Sequence, residues 1–592
     1  MSAPQPLALP LTPEQQAIVA SSGNIKINAV AGSGKTTTVV EYARTRPPEA
    51  RILYLAFNSA VRWEAVRKFR AQGLGHVQVE TAHSLAYNYI VVSSRYTVRK
   101  KDFKPYDLVG LLGLPRPAGP SALGEFVLAT HILKFLAYFC NSDKERVKHL
   151  NYLDIVVEAP ARDFVAQNYD LIEDGCLRLL RRMHSAEIAI THDFYLKKFQ
   201  IDARLLRYDY ILFDEGQDAS EAMLNWFFKQ AATKVIVGDA HQQIYGWRHA
   251  VNSLSKADFT PYHLSTSSRF GSSLAELATQ VLAWKAQLGA EAPLSLSGHG
   301  QGAATTTRAV IGRTNVGLLL KAFEYAAQPG DQARKLYFEG NIKSYTYADN
   351  GASLFDVLHL VNGRHASIKD PLLRRMADLD GLRDYAKQTE DAQLLLLVKI
   401  VEEYGNDVVG LIEELKQRHV ENENRAEAQL YFSTVHRCKG LEYDAVQLTD
   451  DFITQERIDQ YVRDHARKPI ESGALARILE EINLLYVALT RAKNLLYVPA
   501  ACLPTGFVAG PGIVATHEGG GPALIQPPPT PEVPVVAVAT PPAPVAPRSE
   551  PPPRLVEWSS LQQKPDAVSI PRASTVLKQE HPVDLRRAKP DC

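Results

Sequence analysis

Ala29-Val30-Ala31-Gly32-Ser33-Gly34-Lys35-Thr36 decides how the rest of the chain reads. The apolar run Ile25 to Val30 before it has the character of a buried strand, and Thr36 to Arg44 after it that of a helix. Between the two, glycines let backbone N–H groups close around phosphate oxygens, and the helix aims its positive end at them. Lys35 is then placed to reach the β- and γ-phosphates, and the Thr36 hydroxyl to ligate Mg²⁺. Ala31, Gly32, Ser33, Gly34 and Thr37 complete the cradle. A Gly-rich strand-to-helix turn with no nucleotide is the plainer alternative; the flanking strand and helix favour the phosphate site.

Outward from this loop the chain alternates strands with helices. Arg51–Phe57 is a second buried-type strand, ending in Asn58-Ser59-Ala60, and His76–Thr81 is a third, followed by Ala82-His83-Ser84. Such alternation predicts an α/β protein with parallel, doubly wound sheets, whose ligands lie at the carboxyl ends of the strands. Asn58, Thr81, His83 and Ser84 fall there; each also reads as an ordinary loop residue or helix cap. Upstream, Thr12 reads as an N-cap and Pro13 as the first helical residue, which puts Gln15 in the first turn. Its amide matches an adenine edge, or it is simply a solvated helix start.

The sheet resumes at Tyr208–Phe213 and runs into Asp214-Glu215-Gly216-Gln217-Asp218. Two acids at the end of an apolar strand, in a chain with a phosphate loop, suit Mg²⁺ binding by Asp214 and activation of the attacking water by Glu215. The strand Lys234–Val237 leads into Gly238-Asp239-Ala240-His241-Gln242-Gln243-Ile244-Tyr245-Gly246-Trp247-Arg248. Here Gln242 can sense the γ-phosphate while Tyr245 and Trp247 stack on bases; aromatics at this spacing also serve as core.

Composition narrows the class. The 592 residues hold 45% hydrophobic and 22% charged residues at net charge +1, so any nucleic-acid surface must be local. Five cysteines without metal-ligand spacing or a disulfide framework suit a reducing compartment. No apolar run spans a bilayer and Met1–Pro10 lacks signal-peptide character, which predicts no membrane association and a cytoplasmic protein, nucleoid-associated if bacterial. Residues 88–184 read as a helical insertion forming a separate small domain. A new unit is expected after residue 258, with strands at Ala309–Asn315 and Gln429–Val435, interrupted at 336–425 by a short helical insertion. Leu479–Lys493 is an amphipathic helix ending in Thr490-Arg491, and Asn494–Val498 a strand. From 501 onward Pro, Ala, Val and Gly dominate, predicting an extended, disordered tail with an unknown protein partner.

The order of the motifs LTPEQ, AVAGSGKT, AFN, TAHS, DEGQD, GDAHQQIYGWR, SSRF, TVHRCKGLEYDAV and EEINLLYVALTRA resembles superfamily 1 helicases of the UvrD/PcrA/Rep type. AFN, THDFYLK at 191–197 and GDAHQQIY point within that group to the F-box DNA helicases, although no F-box stands in front. The resemblance implies two RecA-like domains, 1–87 with 185–258 and 259–335 with 426–500, with ATP in the cleft between them. Lys35, Thr36, Asp214 and Glu215 become the hydrolytic set, Gln15 the adenine reader and Gln242 the γ-phosphate neighbour. Arg269 and Arg491 reach across as arginine fingers, with Glu442 near the nucleotide. Single-stranded DNA, alone or as the tail of a duplex, would cross Phe57, Tyr245 and Trp247 by stacking, with Asn58, Thr81, His83, Arg248 and His436 as polar contacts. Movement 3′ to 5′, displacement of recombinase filaments and a place in repair or recombination are carried over as expectations. An RNA helicase of the same superfamily and a nucleotide-gated scaffold are the competing readings. Ser267-Ser268-Arg269 departs from the Asn-Tyr-Arg of the UvrD pattern, removing the aromatic that packs on adenine.

Overall fold

The computed structural model describes residues 10–517, except 116, 118–122, 247–248, 291–294, 301–305, 328–333 and 348–350. Six strands make the first sheet: β1 (Ile25–Ala29), β2 (Ile52–Ala56), β3 (Gln78–Thr81), β4 (Tyr210–Phe213), β5 (Thr233–Gly238) and β6 (Thr260–Leu264). They are parallel throughout, in the order β3-β2-β4-β5-β1-β6. Side chains alternate between faces, as a pleated strand requires. Ile52, Tyr54 and Ala56 join Val39 and Phe69 in one apolar layer. Leu53 and Leu55 enter the opposite layer with Ile211, Phe213 and Ile236.

A two-residue pair, β7 (Thr266–Ser267) with β8 (Ser297–Gly298), follows the first sheet. The second sheet contains β9 (Arg308–Gly312), β10 (Leu336–Phe338), β11 (Leu430–Thr434), β12 (Tyr443–Leu448), β13 (Ala492–Pro499) and β14 (Ile513–Thr516). Its order is β10-β11-β9-β12-β13-β14, again all parallel. Phe338, Phe432 and Val310 face one layer; Tyr337, Tyr431 and Ile311 face the other. The α/β class with parallel sheets flanked by helices is therefore what the chain forms.

Several boundaries differ from expectation. β6 pairs with β1, so the first sheet runs to Leu264, past the boundary set at 258. β10 pairs with β11, so the second sheet takes in residues assigned to its insertion. The stretch after 500 begins folded: β14 pairs with β13, and Ile513 is buried while Leu503 and Phe507 pack on the same core. The long amphipathic helix is Ser472–Leu489, and Lys493 already lies in β13. Residues 518–592, with the rest of the expected tail, lie outside the described residues.

The first insertion folds as helices Pro105–Leu112, Gly124–Asn141, Ala159–Gln167 and Tyr169–His184. It is not a separate core: Phe135, Leu179 and Met183 share one apolar cluster with Leu53, Leu55 and Phe213. The helix Gly124–Asn141 also touches the second insertion. Thr130 Oγ1 meets Tyr385 Oη at 2.9 Å, His131 Nε2 the Gln388 carbonyl at 2.9 Å, and Lys134 donates to the Thr389 carbonyl at 2.6 Å. Glu390, at φ +50°, accepts the Val157 and Glu158 N–H groups at 2.9 Å. It also pairs with Lys134 at 3.8 Å and Arg477 at 3.2 Å.

Candidate nucleotide site and nucleic-acid interface

β1 delivers the chain into a turn that needs glycine twice: Gly32 and Gly34 have φ +73° and +79°, and Gly34 caps the helix Lys35–Arg44. Positive φ turns successive N–H groups inward at a helix start, which is the geometry an anion requires. The site is also tight. A Cβ on Gly32 would stand 2.6 Å from Ser267 Oγ and 2.7 Å from Arg269 Cβ. Ser268 donates both its N–H and its hydroxyl to the Gly32 carbonyl, each at 3.0 Å. The small Ser267-Ser268 pair thus lies directly on the phosphate loop. Ser33 closes on the Val30 carbonyl, and Ala31 N–H donates to Tyr486 Oη at 3.3 Å. Thr36 is half-buried and Thr37 exposed at the helix start.

Gln15 is buried beside this turn. Its Oε1 accepts the Thr12 N–H at 3.0 Å, completing a capping box, and its Nε2 donates to Thr38 Oγ1 at 3.2 Å. A Cβ on Gly34 would meet that Nε2 at 3.1 Å, so the amide is braced against the loop.

Asp214 emerges buried from β4, with Glu215 half-buried after it. Tyr54 donates its hydroxyl to Asp214 Oδ2, and Glu215 N–H donates to Asp214 Oδ1 at 2.9 Å. Burial, then the Glu215 charge, pushes the Asp214 carboxyl up to about 6. Burial also works to raise Glu215, but Lys35, followed by Lys439, outweighs it and holds the carboxyl below its ordinary value. Gln217 fixes this arrangement, donating to Glu215 Oε2 and accepting the Asp239 N–H at 3.1 Å. Glu215 itself has φ +53°, a backbone strain found where a side chain must be aimed. The donor set fits a divalent cation: a buried and a half-buried carboxylate whose charges disfavour each other, at the end of the strand beside Lys35.

The segment after β7 and the turn before β13 bring their residues to the same place. Arg269 donates to Glu442 Oε2 at 2.8 Å and to the Thr490 carbonyl at 3.0 Å. Glu442 is further held by Lys493 at 3.3 Å. Arg491 is 1% exposed and donates to the carbonyls of Val487 and Leu441 at 2.9 and 3.1 Å. Burial, then the neighbouring Arg269 charge, lowers its pKa to about 10, so it stays cationic at neutral pH. Gln242 turns its amide to Asp239 Oδ2 at 2.8 Å, and the same oxygen accepts from Tyr486 at 3.1 Å.

Beside this cleft lies an aromatic platform. Phe57 and Tyr245 stack with centroids 5.3 Å apart and planes 23° from parallel. Tyr245 donates to the His436 carbonyl at 3.1 Å, while His436 Nε2 lies 3.0 Å from the Ile244 carbonyl. The platform thus joins the end of β2, the segment after β5 and the turn after β11. His83 sits apart from it, 3.7 Å from Asp193 and edge-on to Tyr195. Asn58 and Thr81 use their side chains as N-caps, accepting from Val61 N–H and Ser84 N–H. Trp247 and Arg248 lie outside the described residues.

One residue escaped the sequence reading. Lys439 pairs with Asp218, donates to the Gln242 carbonyl at 2.8 Å and lies 5.1 Å from the Tyr245 ring centroid. It therefore touches the acidic segment, the γ-phosphate candidate and the stacking platform together. Its signal was its place three residues before Glu442 in the His436–Glu442 turn.

Among the described residues no helix is long and apolar enough to cross a membrane. Comparison with known families matches residues 11–258 to the UvrD/REP helicase N-terminal domain and 141–501 to the UvrD-like helicase C-terminal domain. The chain is 27% identical over 526 residues to F-box DNA helicase protein 1 of Schizosaccharomyces pombe, covering 82% of this chain and 57% of that one. It is 28% identical over 518 residues to F-box DNA helicase 1 of Gallus gallus, covering 82% and 48%. DNA helicase II of Haemophilus influenzae is 26% identical over 255 residues, covering 40% and 34%. The chain thus spans about half the length of the F-box relatives it matches. With both halves of the cleft in place and both family domains matched along most of its length, the chain belongs to the UvrD-like helicase family.

Proposed function

We propose that the protein is an ATP-driven motor on single-stranded DNA, moving 3′ to 5′ and opening duplexes or clearing bound proteins in repair or recombination. The observation that carries this reading is the adjacency of the hydrolytic cleft and the Phe57–Tyr245 stack through one residue, Lys439. The relatives' names as DNA helicases support DNA as the polymer.

In this reading the Gly32–Thr36 turn and Lys35 hold the phosphates of ATP. Thr36 and Asp214 would hold Mg²⁺, which would neutralise phosphate charge when bound. Glu215 takes the proton of the attacking water as its oxygen bonds to the γ-phosphorus and the bond to the ADP oxygen breaks. Arg269 exchanges Glu442 for the transferring phosphoryl group, and Arg491 adds its charge from behind. Because both arginines come from the unit that follows the first sheet, Arg269 after β7 and Arg491 just before β13, ATP favours the closed cleft and loss of the γ-phosphate removes that preference. Bases stacking on Phe57 and Tyr245 contribute about 1–3 kcal/mol each.

Strand displacement on partial duplexes with a 3′ or a 5′ single-stranded tail, in DNA and RNA versions, tests the proposal, with Lys35→Ala as control. Displacement confined to 3′-tailed DNA is expected. Equal activity on RNA overturns the choice of polymer. ATP hydrolysis indifferent to any nucleic acid overturns the motor and leaves a nucleotide-gated scaffold.

A further inference from the structure

Behind the loop that carries both Gln242 and Tyr245 lies a buried side-chain cluster that the hydrolytic step does not use. Lys285, in the helix Ser272–Gln287, is 6% exposed. Its ammonium lies 3.0 Å from His241 Nδ1 and donates to Asn483 Oδ1 in the helix Ser472–Leu489. Asn483 completes the circuit by donating from Nδ2 to the Gln243 carbonyl at 2.7 Å. His241 packs edge-on against Tyr486, 6.1 Å between centroids, and its N–H donates to Asp239 Oδ1 at 3.0 Å.

The chemistry of these contacts is specific. Burial, then the Lys285 charge, lowers His241 to about 4, so the ring is neutral and its Nδ1 accepts from the ammonium. Burial lowers Lys285 to about 8, with Asp239 the negative charge acting against that shift. An ammonium held here by a neutral ring and an amide is costly to bury, and an apolar side chain of similar volume would fill the space at lower cost. Packing alone therefore does not account for a lysine at this position. Its two partners do: Lys285 holds His241 directly and Gln243 through Asn483, on either side of Gln242, and the lysine comes from a helix of the second unit.

Building on the motor reading above, we propose that Lys285 is a positioning residue that makes the loop 239–246 move with the second unit's helices as one piece. Occupancy of the stack at Tyr245 is then transmitted to Gln242 and changes the rate of ATP hydrolysis. Without the latch each end of the loop still makes its own contacts, but the two ends no longer report to each other. Coupling of this kind between two sites typically amounts to about 5–150-fold.

The test compares ATP turnover and the KM for ATP, with and without an oligothymidylate, in wild type, Lys285→Met and Asn483→Leu. The expected result is unstimulated turnover and KM for ATP within about twofold of wild type, with DNA stimulation reduced by about tenfold or more. Lys285→Arg, which keeps the cation and its donors, is expected to recover part of the stimulation. Thermal melting accompanies each variant; should Lys285→Met not fold, Asn483→Leu decides by the same readout. Full DNA stimulation in a folded variant overturns the inference, and so does an equal fall in stimulated and unstimulated turnover. A wild type that DNA fails to stimulate instead removes the motor reading on which the inference stands.

Discussion

The Lys439 ammonium lies 2.5 Å from Asp218 Oδ2, and the Asp218 side chain is fully withdrawn from solvent. The pair joins the turn after β11 to the segment after β4, across 221 residues of sequence. Above about pH 7, where Asp218 is ionised, breaking the buried pair from one side strands its charge, at a cost of about 3–5 kcal/mol. Lys439→Met should therefore melt well below wild type, and addition of Asp218→Asn should recover much of the loss. Chemical denaturation of the single and double variants measures this; a double variant no better than Lys439→Met would place the cost in lost packing around Tyr245.

The same pair sets a pH dependence. Burial raises the Asp218 carboxyl from its ordinary 3.8 to about 7, with Lys439 opposing the shift. Between those values the folded state holds a proton that the unfolded chain has released, so this group's contribution is full below about pH 4 and declines as pH rises towards 7. Asparagine has no such decline. Asp218→Asn should gain on wild type in melting temperature from pH 5 to pH 8, and a difference constant across that range would sink the assignment.

Glu215→Gln keeps the side-chain volume and the contact with Gln217 while removing the base. ATP should still bind, and turnover should fall by about 10²–10⁴-fold, the usual worth of a positioned acid–base group. Nucleotide binding by fluorescence, set beside steady-state hydrolysis, separates the two. Robust turnover by this variant would take Glu215 out of the mechanism.

Gly32→Ala combines a left-handed backbone with two close approaches, at 2.6 and 2.7 Å, to Ser267 and Arg269. Strain of this kind costs on the order of 1–3 kcal/mol and acts on the contact between the two units. Loss of ATP binding is expected together with a lower melting temperature. Gly23→Ala, at a positive φ but with open space around its Cβ, is the control for backbone strain alone. Equal losses in the two variants would show that the contact contributes nothing.

Local chemistry made much of this legible in the sequence. The glycine turn before Lys35, the acids closing β4 and the alternation of buried strands each follow from residues adjacent in the chain. What stayed hidden depends on partners far apart or on weak local patterns. β6 reads Thr260-Pro261-Tyr262-His263-Leu264 with only its last residue buried, so the apolar run that marks a central strand is absent. β14 lies in a Gly- and Pro-rich stretch, with only Ile513 buried, and is a strand by its pairing with β13. Lys439 looked like one more charge in a turn until its fold partners, Asp218 and the Gln242 carbonyl, supplied its meaning. Asn58 and Thr81 show the converse: their positions at strand ends are explained by the helices they cap.

Glu390 closes the contact between the two insertions by gathering two backbone N–H groups and the charges of Lys134 and Arg477 onto one carboxylate. The consequence is mechanical. Glu390 thus ties three elements at one carboxylate, beside the contacts of Thr130, His131 and Lys134 with the same segment of the second insertion. Through Arg477 the second insertion is tied to the Ser472–Leu489 helix that leads to Arg491, so a displacement of that insertion has a direct route to the arginine.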